Sequence, residues 1–67
     1  MTLADLGVRI KQARERQGLT QQALASKAGI SRIYVAKLEA GDRQSPSLPT
    51  LERVAQALKL KLVDLLK

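Results

Sequence analysis

Apolar residues recur along this chain at helical spacing. Leu3, Leu6, Ile10 and Ala13 mark one stripe at the spacing of a helix face. They predict a first helix from about Thr2 to Gln17, ended by Gln17-Gly18. Thr2 can cap it, with Asp5 in a capping-box position. Gly7 interrupts this helix at a cost of up to about 1 kcal/mol relative to alanine; close packing is one possible reason, which the sequence does not show. Leu24, Ala25 and Ala28 give the buried side of a second helix, from Gln21 to Lys27 or Ala28. Val35 and Leu38, with Tyr34, give that of a third, Arg32 to Ala40. Leu48, Leu51, Val54, Ala55 and Leu58 form the stripe of a fourth, starting near Ser47 with Pro49 tolerated in its first turn. Leu62, Val63, Leu65 and Leu66 suggest a short fifth. The expected fold is all-α, a compact bundle of about five short helices in one domain spanning 1–67.

The stretch from Thr20 to Gly41 carries the densest local signals. Thr20 and Ser31 can each accept a hydrogen bond from a first-turn N–H. Leu19 with Leu24, and Ile30 with Val35, stand at hydrophobic-staple spacing around them. Gly29 sits where the first of the two helices must stop, and glycine enters the left-handed conformation there at little cost. Helix, glycine turn and capped second helix in so short a span is the sequence form of a helix-turn-helix.

On a wheel of about 100° per residue, the second of these helices divides cleanly. Tyr34, Val35 and Leu38 fall on one side; Arg32, Ile33, Ala36, Lys37 and Ala40 fall on the other. The first set suits a core. The second offers two cations, small alanines and one exposed branched aliphatic. Small residues permit close approach to another surface, and cations favour phosphate or the acceptor edge of guanine. A basic helix face is also often nothing more than solvated.

Composition narrows the choice of partner and of chemistry. Twelve cations against six anions give a net charge of +6, which favours polyanions, nucleic acid before anionic membrane. The single aromatic residue, Tyr34, leaves a core of Leu, Ile, Val and Ala, which suits packed helices better than a sheet. There is no cysteine and no histidine, so the commonest nucleophile–base pair and the commonest zinc ligands are missing. Asp5, Glu15, Glu39, Asp42, Glu52 and Asp64 show no paired metal or acid–base spacing. No catalytic residue, metal site or cofactor is expected. The N-terminus MTLADLGVRIK does not read as a signal peptide, no apolar run is long enough to span a membrane, and the expected location is cytoplasmic.

The segments LTQQALASKAGISRIYVAKLEAG and PSLPTLERVAQALKL resemble the lambda-repressor-like (Cro/XRE-type) helix-turn-helix family of DNA-binding regulators. The resemblance covers nearly the whole chain. It rests on TQ opening the first helix of the motif, AG at the turn and LEAG closing the second. The sub-motif SRIYVAKLEAG is most similar to controller proteins of restriction–modification systems, which often carry Arg-x-Tyr here. The resemblance implies that helix 31–40 enters the major groove. Arg32 would read a base, bidentate to a guanine; Ile33 would contact a thymine methyl; Lys37 would reach a base or a phosphate. Gln21 would bind a phosphate and brace the recognition helix, with Gln22 as helper. Ser31 and Tyr34 could also bind phosphates, Tyr34 being equally suited to the core edge, and in the loop Arg43 is either a phosphate contact or a merely solvated arginine. Arg14 and Glu39 match a family ion pair that ties the first helix to the recognition helix. The alternative for those two is a pair of independent surface charges.

Where relatives carry glycine and serine this chain has Lys59 and Lys61, so the last helix has weak boundary signals. So short a helix cannot easily bury four aliphatics. Leu62, Val63, Leu65 and Leu66 are therefore read as a dimerisation element within 59–67. A membrane-surface helix is the rival reading of LKLKLVDLLK, weakened by its shortness and by Asp64. Together these features predict a homodimeric, sequence-specific regulator of transcription on double-stranded DNA. With no sensing module expected in the chain, control would come from concentration or another protein. An antitoxin that also binds a toxin, and a protein-interaction module that does not read DNA, are the alternatives.

Overall fold

The computed structural model describes residues 2–42 and 46–66. It forms five helices: α1 Leu3–Arg16, α2 Gln21–Ala28, α3 Arg32–Ala40, α4 Leu48–Ala57 and α5 Leu62–Leu66. Hydroxyl caps start the first four. Thr2, Thr20, Ser31 and Ser47 each accept from a backbone N–H in the first turn, those of Asp5, Ala23, Tyr34 and Thr50. At Thr2 the box is closed, because Asp5 Oδ2 accepts from the Thr2 N–H at 3.1 Å. That backbone bond, helped by the Thr2 hydroxyl, holds the Asp5 carboxyl below the usual aspartate range.

The helices close around one aliphatic core. Ile10, Leu24, Val35, Val54, Leu58 and Leu65 are its largest fully buried members. Leu19, Ile30 and Tyr34 pack against it from the edge. Both staple pairs thus have the inner residue in the core and the outer one half-buried over it. α2 packs against α3 and α4, while α1 packs against α3 and α5. The Gln17 side-chain amide donates to the Leu58 carbonyl, which ties the end of α1 to the end of α4.

Two apolar expectations need correction. Leu65 is not available as a dimerisation residue: only 1% of it is exposed, because α5 turns this side chain inward beneath α1 and α4. Leu62 is partly buried against the same core, and Val63 and Leu66 remain outside at 54% and 43% exposure. Leu48 is not part of the buried stripe of α4 but 60% exposed. As the first residue of the helix it falls a turn short of the core that Leu51 enters.

Candidate nucleic-acid interface

The turn between α2 and α3 is built from local chemistry. Gly29 takes φ +71°, donates its N–H to Ala25 and lets the chain reverse. Ser31 Oγ then accepts from Tyr34 N at 3.0 Å and starts α3. Val35 and Leu38 fix the inner face of that helix in the core. Its outer face carries Arg32, Ile33 and Lys37, all exposed. Ile33 is 60% exposed.

Three elements brace α3 from behind. The Arg14 guanidinium donates through Nε to Glu39 Oε2 at 2.7 Å and through Nη2 to Oε1 at 3.0 Å. Its Nη1 donates to the Leu19 carbonyl at 2.7 Å. The side chains are only 11% and 5% exposed. Hydrogen bonding to Glu39 raises the Arg14 pKa further above its ordinary value. The fork joins α1, the α1–α2 connection and α3 through one rigid plane, a geometry that lysine could not supply. Gln21 Nε2 adds a bond to Glu39 Oε1 at 3.2 Å, linking α2 to the same carboxylate.

Gly7 explains the close approach of α1 to α3. A Cβ there would lie 2.4 Å from the Leu38 carbonyl oxygen and 2.7 Å from that of Glu39. Gly41, at φ +72°, in turn ends α3 against Ala4. The interruption of α1 by a glycine is visible in the sequence, but the backbone it admits is not. The Leu19 carbonyl as third acceptor of the Arg14 guanidinium carries no sequence signal at all.

The polar groups fall into place around α3. Gln21 and Gln22 open α2, where the first-turn N–H groups lack intrahelical acceptors and the helix dipole is positive. An amide has two N–H donors, and the bond to Glu39 uses one of those of Gln21. Gln22 Nε2 donates to Ser26 Oγ at 3.3 Å. The Ser31 hydroxyl, accepting at its oxygen, keeps its own proton to donate. Tyr34 is half-buried with its ring on the core edge, beside Lys37, Leu38 and Asp42. Arg43 lies outside the described residues. Gln21 and Ser31 thus adjoin the helix whose outer face presents Arg32, Ile33 and Lys37, while Gln22 contacts Ser26 of its own helix.

Bundle, capped turn and braced outward helix together define a helix-turn-helix domain. The helix-turn-helix family matches residues 10–65, and the chain belongs to this family, in its Cro/XRE-type branch. The immunity repressor protein of Bacillus phage phi105 is 51% identical over 57 residues, covering 85% of this chain and 39% of that protein. The transcriptional regulator SinR of Bacillus subtilis is 36% identical over 61 residues, covering 91% of this chain and 55% of SinR. The chain therefore spans about two-fifths to just over half of these relatives. A structure of SinR in complex with DNA superposes with a TM-score of 0.87 at 35% identity, over 92% of this chain and 98% of that one. The restriction–modification controller protein C.AhdI of Aeromonas hydrophila superposes with a TM-score of 0.89 at 33% identity, over 94% of both chains.

Proposed function

We propose that this chain is a sequence-specific DNA-binding regulator of transcription that acts in the cytoplasm as a homodimer. The observation that carries the reading is the outer face of α3: cations and a methyl-bearing side chain project from a helix that three elements hold rigid. An α-helix fits the major groove of B-DNA, with its N-terminal residues nearest the bases. Arg32 pairs with a guanine, Ile33 meets a thymine methyl and Lys37 extends the base contacts one turn on. Gln21, Gln22, Ser31, Tyr34 and Arg43 contact the phosphates on either side. These contacts position the domain and make affinity fall with salt, while the α3 contacts choose the sequence.

The dimensions of this domain agree with one copy per half-site. Its longest dimension is 25 Å, whereas half-sites in successive major grooves lie about 34 Å apart. One copy serves one half-site, and a pseudo-palindrome takes two. Val63 and Leu66, with the edge of Leu62, supply the apolar surface for that pairing.

Selection from a random duplex library near physiological salt, with wild type and Arg32→Ala in parallel, tests the reading. A two-fold symmetric site is expected, with preference relaxed at one base pair per half-site in the variant. Uniform, salt-sensitive binding without enrichment refutes it.

A further inference from the structure

We infer that Ile33 makes the chain a sensor of pyrimidine C5-methylation, one that binds thymine and 5-methylcytosine in preference to their unmethylated counterparts beside the guanine held by Arg32. The inference rests on the DNA-binding reading above and names the chemical group that its specificity depends on.

An isolated exposed aliphatic is ordinary on a protein surface. The position of Ile33 is what makes it informative. It stands on the face opposite Val35 and Leu38, in the first turn of α3, between Arg32 and Lys37. Ala36 and Ala40 continue its ridge along the helix and carry only a methyl each. Ile33 is therefore the one bulky apolar side chain on this face of α3, at the end of the helix nearest the bases. It has no donor or acceptor, so it cannot read the hydrogen-bonding edge of a base. The apolar feature that a base pair shows in the major groove is the methyl on C5 of thymine. A 5-methylcytosine holds its methyl on the same ring atom. Arg32 precedes Ile33 directly and supplies the fork that suits the O6 and N7 acceptors of guanine. Together the two side chains fit a methylated pyrimidine next to a guanine, whichever pyrimidine carries the methyl.

Burying one methyl against an aliphatic is worth about a four-fold change in affinity per half-site, and about fifteen-fold for a dimer that makes the contact twice. Wild type and Ile33→Ala would be titrated by fluorescence anisotropy against the duplex enriched from the library. The same duplex would be made with deoxyuridine for each thymine in turn, and with cytosine or 5-methylcytosine at the sensitive position. Ile33 is mostly exposed, so the variant should fold, and a thermal melt would check it. The expected result is a loss of about four- to fifteen-fold at one thymine when its methyl is removed. Recovery from cytosine to 5-methylcytosine should be of similar size, and both differences should vanish in Ile33→Ala. Equal binding of thymine and uracil duplexes at every position, or a methyl effect that survives Ile33→Ala, overturns the proposal while leaving the DNA-binding reading intact. Absence of any enriched duplex overturns both.

Discussion

The α2–α3 unit and the α4–α5 tail differ in how well their local chemistry agrees with their shape. In the first, every helix end has a residue suited to it: Thr20 and Ser31 at the starts, Gly29 and Gly41 at the stops. In the second, α4 ends with Lys59 forced to φ +57°, a left-handed conformation costly for a residue with a Cβ. The side chain of Lys61 has no acceptor atom with which to cap α5. Asp64 Oδ2 accepts the Lys61 N–H at 3.0 Å instead, which is half of a capping box. Local consistency is concentrated where orientation matters. In the proposed role, α3 displaced by an ångström would lose its contacts, whereas α5 only has to deliver Leu65 to the core.

Breaking the brace of α3 should give the largest effect. Arg14→Met or Glu39→Leu alone leaves a buried charge without its partner, and each should cost about 3 kcal/mol in urea denaturation. The double variant should cost much less than the sum, and simple additivity would show that the two groups do not act as a unit. Next is Gly7→Ala. Helix propensity alone favours alanine, yet its Cβ would press on the Leu38 and Glu39 carbonyls. A net loss of about 2 kcal/mol is expected; a gain in midpoint would mean that α1 shifts freely.

The tail should respond in the opposite sense. Lys59→Gly removes the left-handed penalty and should raise stability by about 1 kcal/mol. Gly29→Ala measures the same penalty from the other side, since nothing crowds a Cβ there. If both substitutions destabilise, Lys59 makes a contact that outweighs its backbone.

The smallest effect concerns pH. The carboxyl of Asp5 is held below the aspartate range by the Thr2 N–H, so the folded state binds its proton less readily than the unfolded chain does. Its contribution is complete above the ordinary aspartate value of about 3.9 and is lost as pH falls through the lower folded value. Asp5→Asn should flatten that part of the acid limb. An identical limb in both proteins would exclude a role for the box.

Most of the fold was legible because its signals are local. Caps, staples and the Gly29 turn each involve residues a few positions apart, so reading the chain along its length finds them. What escaped depends on how helices meet. Leu65 and Leu66 are neighbours of one chemistry, and only the placement of α5 against α1 and α4 decides that Leu65 turns inward. Leu48 fits the stripe of α4 in spacing, but spacing does not reveal where the core ends. The Arg14–Glu39 pair joins residues far apart in sequence, which family resemblance relates and periodicity does not. The bond from Gln17 to the Leu58 carbonyl had neither kind of signal.

The division of α3 into two faces also bears on how such a molecule changes over generations. Residues that hold the helix in place point inward or sit at its edge; residues that meet the outside world contribute almost nothing to stability. Exchanges at Arg32, Ile33 and Lys37, all exposed, should therefore be nearly neutral for folding, while on the proposed DNA-reading role they would alter target preference. Inheritance could then rewrite the proposed reading face as a small cassette without renegotiating the scaffold, and so could an engineer who wants a new target.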